Sequence, residues 1–268
     1  MGRKISVIMG LYNCESTIDE AVKSILQQTY KDFEIIMCDD GSGDGTYAAA
    51  KRISNCNPEI TLIRNEKNMG LNYTLNHCLQ YAKGEYIARM DADDISLPER
   101  FEKQVDFLDN HSEYAVVSTP MIYFDENGVF GEGASKGGEP DINSFPLGTP
   151  FCHAPAMIRR EALEKVQGYT VDDKYLRVED WQLWVKMYAA GYKGYNLSEA
   201  LYKMRDDRAA ANRRKFKYRI NEARVSIYSV NELQLPKWMY IYSCRPILVG
   251  LIPQKIYEFL HQKKLNQN

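Results

Sequence analysis

Over the first hundred residues, short continuous apolar runs alternate with stretches of helical period. Residues 5–11 are apolar on both alternating faces, as a parallel strand covered on both sides must be. Ser16 or Thr17 can cap a helix to about Gln28, whose inner stripe would be Ile18, Ala21, Val22, Ile25 and Leu26. Residues 33–38 predict a second strand, 45–54 a helix, 60–63 a third strand, 71–82 a helix and 85–90 a fourth strand. This alternation implies βαβ units with right-handed crossovers. The expected fold class is therefore α/β, a mostly parallel Rossmann-like sheet flanked by helices. Ligands of such sheets bind beyond the carboxyl ends of the strands. Those ends are polar here: Tyr12 and Asn13, Asp39 and Asp40, Asn65 and Asn68, Asp91 and Asp93.

Later stretches are less regular. Residues 114–118 predict a fifth strand, and Asp125-Glu126-Asn127-Gly128 a hairpin turn. The glycine-rich run 131–138 reads as a mobile loop near the site. A helical pattern opens at Arg213-Arg214-Lys215 and reaches about Glu232. The run 238–252 is apolar but broken by Arg245 and Pro246, short of the ~20 residues a membrane span needs. Its Trp, Tyr and basic flanks suit a helix lying at a membrane interface, and equally a tail packed on the domain.

Composition adds size and charge. With 268 residues and 44% hydrophobic content, the chain can form one large domain or two closely packed halves. The net charge of −2 conceals an asymmetry, because residues 203–268 carry 14 Lys and Arg against 5 Asp and Glu. Such a tail suits an anionic membrane surface or nucleic acid. Six cysteines show no CxxC pair, so reduced thiols are expected, and the N-terminus is too short and strand-like for a signal peptide. The expected location is cytoplasmic, with peripheral attachment to the inner membrane face through the tail.

The chemistry concentrates in Arg89-Met90-Asp91-Ala92-Asp93-Asp94, where a strand runs into three carboxylates. Such a cluster suits a hard divalent cation, Mg2+ or Mn2+, which in turn attracts a diphosphate. The competing reading makes Asp93 and Asp94 caps of a helix starting near Pro98. No GxxxxGK[ST] is present and no GxGxxG follows the first strand, so metal rather than a glycine loop would hold the phosphates.

Taken in order, Leu11-Tyr12-Asn13, Asp39-Asp40-Gly41-Ser42, Asn68-x-Gly70 and Gly84 through Asp94 resemble the inverting family 2 glycosyltransferases of the GT-A fold. The resemblance implies a UDP-sugar donor held by Leu11, Tyr12, Asn13, Asp39, Asp40, Asn68, Gly70, Arg89, Asp91, Ala92 and Asp93. Asp39 would meet the uracil, Asp91 the ribose side, Asp93 the metal with Asp91 beside it, and Arg89 would lie near the phosphates. Asp94 is left to hydrogen bonding or to capping. Glu179-Asp180-Trp181 begins a helix whose acids the macrodipole alone would favour. Within the resemblance Asp180 is the catalytic base, with Glu179 and Trp181 on the substrate side. His153 is either structural or close to substrate. Arg205 stands where some relatives have a metal-binding histidine, and could instead neutralise the departing diphosphate.

The implied reaction moves a hexose or N-acetylhexosamine from a UDP-sugar to a hydroxyl of a saccharide or lipid-linked saccharide in bacterial surface-polysaccharide synthesis. Residues 1–120 would form the donor half, 121–205 the acceptor and base half, and 206–268 a basic helical extension. A sugar nucleotidyltransferase and an inactive nucleotide-sugar or polysaccharide-binding protein are the rival readings. Nucleic acid is not an expected partner.

Overall fold

The computed structural model describes residues 3–133, 135–206 and 215–251. Arg213, Arg214 and the chain beyond 251, parts of the expected basic tail, lie outside the described residues. The first half follows the predicted alternation: β1 (Ile5–Leu11), α1 (Ile18–Leu26), β2 (Phe33–Asp39), α2 (Thr46–Cys56), β3 (Ile60–Arg64), α3 (Leu71–Leu79) and β4 (Tyr86–Asp91). Then come β5 (Ile95–Ser96), α4 (Arg100–Asn110), β6 (Tyr114–Ser118), β7 (Met121–Asp125), β8 (Gly128–Glu132), β9 (Met157–Arg159), α5 (Arg160–Lys165), α6 (Glu179–Ala189), β10 (Lys193–Asn196), β11 (Tyr202–Arg205), α7 (Phe216–Glu232) and α8 (Cys244–Gly250).

Seven strands form the main sheet in the order β10-β6-β9-β4-β1-β2-β3, parallel except for β9, which runs antiparallel to both neighbours. The two-residue period of a strand sends its apolar side chains to two cores. Ile5, Val7, Met9 and Leu11 of β1 join Ile35 and Met37 of β2 under α1, α2 and α4. Ile8, Ile36 and Cys38 face the other way, against α3, α5 and α6.

Beside this sheet lies a second, in the order β5-β11-β7-β8. The expected hairpin at Asp125–Gly128 joins β7 and β8 within it. The glycine-rich stretch is consequently not one continuous loop: Gly128–Glu132 is strand, and Gly138 bridges Asn196. No described helix is long and apolar enough to cross a membrane.

The α7 helix packs on the domain. Val225 is fully buried in the α6 core. Asn221 Nδ2 donates to the carbonyls of Asp173 and Leu176, and Ser226 Oγ to that of Pro146. Of the two expectations for the tail, packing therefore holds for α7.

Candidate active site

Register brings the predicted polar edge together. Leu11 pairs with Asp39, Asp39 with Arg64, and Gly10 with Asp91, so β1 to β4 end side by side. The first two loops are stitched by Asn13, whose Oδ1 accepts from Gly43 N at 2.9 Å while its own N donates to Ser42 Oγ at 3.1 Å. Asp40 does the same for the next loop: its carboxylate accepts from Met69 N, Gly70 N and Asn65 Nδ2 at 2.8–2.9 Å. Gly41 (φ +69°) packs so tightly on this loop that a Cβ would lie 2.6 Å from the Lys67 carbonyl carbon. Gly70 (φ +86°) then opens α3.

Leu11 and Ala92 are buried, so the residues of this edge that meet solvent with a side chain include Tyr12, 52% exposed. Asp39 is completely buried. Its Oδ1 accepts from Ser42 N at 3.3 Å and its Oδ2 from Arg64 Nε at 2.9 Å, and the Arg64 guanidinium lies 4.3 Å from the ring centre of Tyr47. Asn68 sits in the loop that Asp40 holds.

At the end of β4, carboxylate oxygens of Asp91, Asp93 and Asp94 lie within 4.8 Å of one another. Desolvation, then repulsion from its neighbours, pushes the Asp94 carboxyl up to about 8 and raises that of Asp93. Arg89 donates to Asp91 Oδ2. Burial works against the Arg89 charge but the Asp91 beside it outweighs this, and its pKa is raised. Asp94 Oδ2 is buried without a hydrogen-bond partner, as is Arg89 Nε. Three oxygen donors, two of them raised in pKa by desolvation and then by their neighbours and one carrying an orphaned oxygen, fit a hard divalent cation.

The capping expectation fails for this cluster. The cap position of α4 is Glu99, and no side chain caps there. Asp94 Oδ1 instead accepts the Arg205 backbone N–H at 2.7 Å. Arg205 itself is committed, its Nε to the Asp93 carbonyl at 2.9 Å and its Nη2 to Glu20 at 2.5 Å. It thus anchors the acidic turn from β11, while Tyr202 OH accepts from Asp91 N at 3.2 Å.

The helix α6 carries Glu179 and Asp180 in its first turn. Asp180 lines a cavity of about 470 Å3 and accepts from Thr149 Oγ1 at 3.3 Å. Desolvation raises its pKa, with Trp181 N, Thr149 and Arg89 opposing. Glu179 is likewise raised by desolvation, and its Oε2 is buried without a partner. Trp181 is buried and its indole N–H donates to the Phe145 carbonyl at 2.8 Å, which fixes the start of α6. His153 Nε2 meets Tyr169 OH at 2.7 Å, and burial followed by the nearby Arg89 charge holds its pKa well below the usual range, so the ring is neutral. The Arg89 charge therefore acts on Asp91, on Asp180 and on His153 alike.

Sequence reasoning missed Arg64, Thr149, Tyr169 and Tyr202. Arg64 alone had a signal, as a charged residue ending an apolar strand. The others become neighbours of the site only through contacts distant in sequence.

The α/β sheet with its polar strand ends and acidic triplet matches the GT-A fold of known transferases. The glycosyl transferase family 2 model matches residues 6–167, and the chain belongs to that family. It is a glycosyltransferase. EpsE of Bacillus subtilis (strain 168), named as a glycosyltransferase, is 44% identical over 265 residues, 98% of this chain and 95% of that protein. The Escherichia coli UDP-Glc:alpha-D-GlcNAc-diphosphoundecaprenol beta-1,3-glucosyltransferase WfaP is 31% identical over 82% of this chain and 84% of its own. The crystal structure of S. aureus TarS 1-349 in complex with UDP superposes with a TM-score of 0.69 at 20% identity, covering 92% of this chain and 70% of that one.

Proposed function

We propose that the chain is an inverting, metal-dependent transferase moving a hexose or N-acetylhexosamine from a UDP-sugar to an acceptor hydroxyl in surface-polysaccharide synthesis. The observation that carries this reading is the buried Arg89 guanidinium, which pairs with Asp91 in the acidic turn of β4 and whose charge also acts on the carboxylate of α6. One cation acting on both carboxylate centres supports reading them as parts of one site.

Asp39, braced by Arg64 and Ser42, reads the uracil, and the loops fixed by Asn13 and Asp40 shape the nucleoside pocket. Asp93, with Asp91 and Asp94 beside it, would hold Mn2+ or Mg2+. When bound, that ion supplies Lewis-acid stabilisation of the leaving diphosphate. Asp180 takes the proton of the acceptor hydroxyl as that oxygen attacks the anomeric carbon from the face opposite UDP, which inverts the configuration. Such general-base help is typically worth ~10²–10⁴-fold. Neutral His153, in contact with Tyr169, adds no charge near Arg89. The acceptor is a saccharide, free or lipid-linked as in the substrate WfaP is named for. The enzyme would act on the cytoplasmic side, at the membrane surface where lipid-linked acceptors lie.

The test is a thermal-shift screen of sugar nucleotides with and without Mn2+, followed by product analysis with the donor that binds. Stabilisation by a UDP-sugar, release of UDP and an inverted anomeric centre are expected. Release of pyrophosphate would replace this reading with a nucleotidyltransferase, and donor binding without any turnover would replace it with a binding protein.

A further inference from the structure

Residues 145–150 form a short strap beside the start of α6, and its backbone is tied from four elements. The Trp181 indole N–H of α6 donates to the Phe145 carbonyl at 2.8 Å, and Ser226 Oγ of α7 to that of Pro146 at 2.7 Å. Arg245 Nη1 of α8 donates to the Leu147 carbonyl at 3.2 Å, and Asn196 Nδ2 of β10 to that of Pro150 at 3.1 Å. Pro146 and Pro150 restrict the chain further. Ordering four side chains against one loop costs rotamer entropy. What it secures is the position of the one hydroxyl among the tied carbonyls, that of Thr149.

That hydroxyl has one proton and two acceptors within reach, the Phe151 carbonyl at 3.1 Å and Asp180 Oδ2 at 3.3 Å. An ionised carboxylate is the stronger acceptor of the two, and a protonated one is not. We propose that Thr149 is a positioning residue for the base: held by the strap, its hydroxyl donates to Asp180 Oδ2 and fixes the carboxylate facing the acceptor hydroxyl, then turns to the Phe151 carbonyl once Asp180 has taken the proton. The assignment rests on the reading of Asp180 as the base. An exposed threonine on a loose loop would donate to water instead and orient nothing. The contact also favours the ionised carboxylate, against the desolvation that raises its pKa. The other charged or titratable groups acting on or beside Asp180 are Arg89, Glu179, Cys152 and Tyr169. Arg177, Tyr242, Arg245 and the Arg219–Glu222 pair line the same cavity. All of these stay unchanged in the comparison that follows.

The experiment sets Thr149→Val, which keeps the shape and removes the hydroxyl, beside Thr149→Ser, which restores it. Infrared titration follows the protonated-carboxyl band of Asp180, identified as the band absent from Asp180→Asn, and needs no turnover. Its midpoint should move to higher pH in Thr149→Val and return in Thr149→Ser. UDP release is then measured with the sugar nucleotide that stabilises the chain in Mn2+ and N-acetylglucosaminyl-diphosphate-alkyl as acceptor. In Thr149→Val kcat should fall about fivefold or more, with donor KM unchanged, and the deficit should persist at pH values above the acid limb. Asn196→Ala, which releases the Pro150 carbonyl, should lower kcat in the unsubstituted chain and add little to Thr149→Val, because both act through one contact. A deficit that vanishes at high pH, or full additivity of the two substitutions, would overturn the positioning role. An infrared midpoint unmoved by Thr149→Val would overturn the contact itself and leave the base standing. Undiminished UDP release in Asp180→Asn would overturn the proposal through its premise, the base.

Discussion

As the proposed base, Asp180 would have to be ionised to act, in surroundings that favour its neutral form. Desolvation raises its pKa, so the ionised fraction falls on acidification earlier than for an exposed aspartate. The rate of transfer should therefore drop as pH falls through a value above the ordinary ~3.9, giving an acid limb in kcat. Because the folded pKa is raised, protonation favours the folded state, and this contribution to stability is lost as pH rises through that value. Rate and stability should thus move in opposite directions across the same window, which pH–rate profiles and melting curves together can read. Asp180→Asn should retain UDP binding and lose ~10²–10⁴ in turnover. Undiminished turnover in that protein would remove Asp180 as the base. Asp93→Ala should instead abolish the stabilisation by Mn2+ seen in thermal shift, with donor affinity falling in parallel.

At the scale of elements, the loops beyond β1, β2 and β3 are held by their own side chains as much as by the sheet. Asp40 takes two backbone N–H groups and the Asn65 amide, all at 2.8–2.9 Å. Asp40→Ala strands those donors and should cost at least ~1.5–3 kcal/mol in urea unfolding, the range for a hydrogen bond to a charged group. It should also loosen UDP binding, since the same loop presents Asn68 and Gly70. This distinction bears on how much the sequence could tell. Strand ends and their polar residues follow from a local two-residue period, and β1 to β4 lie where that period puts them. Which carboxylate meets ligand and which ties a loop does not follow from any local period. Asp39 and Asp40 are neighbours in the chain, yet one faces Arg64 and the other the α3 loop. Asp94 resembled a helix cap because Pro98 follows it closely. Its partner is the Arg205 backbone, on a strand that pairs β7 and β5 far along the chain. Beyond the β7–β8 hairpin the second sheet was illegible for the same reason: β5 is two residues long and pairs with β11, far along the chain.

The whole molecule joins its two carboxylate centres through side chains that belong to neither. Arg205 connects β11 to the acidic turn and to α1, and the Arg89 charge, paired with Asp91, also acts on Asp180 of α6. The C-terminal part is a further wall of this assembly. Val225 fills the core against α6, Ser226 holds the Pro146 carbonyl, and Asn221 holds the turn at Asp173–Leu176 that leads into Arg177 and α6. Val225→Ala should accordingly destabilise the entire fold by ~2 kcal/mol, two methyl-sized groups plus the space they leave. Asn221→Ala should act differently. It removes two hydrogen bonds to the turn before α6, so the position of Asp180 relative to the acidic turn becomes less defined. The expectation is a fall in kcat larger than any change in donor affinity, with a melting temperature lowered by only a few degrees, consistent with ~1 kcal/mol for a typical hydrogen bond. Equal losses of kcat and donor binding would mean that α7 merely supports overall stability. A selective loss of kcat would make α7 part of the machinery that aims the base, and would bind residues 215–232 to the catalytic half of the domain.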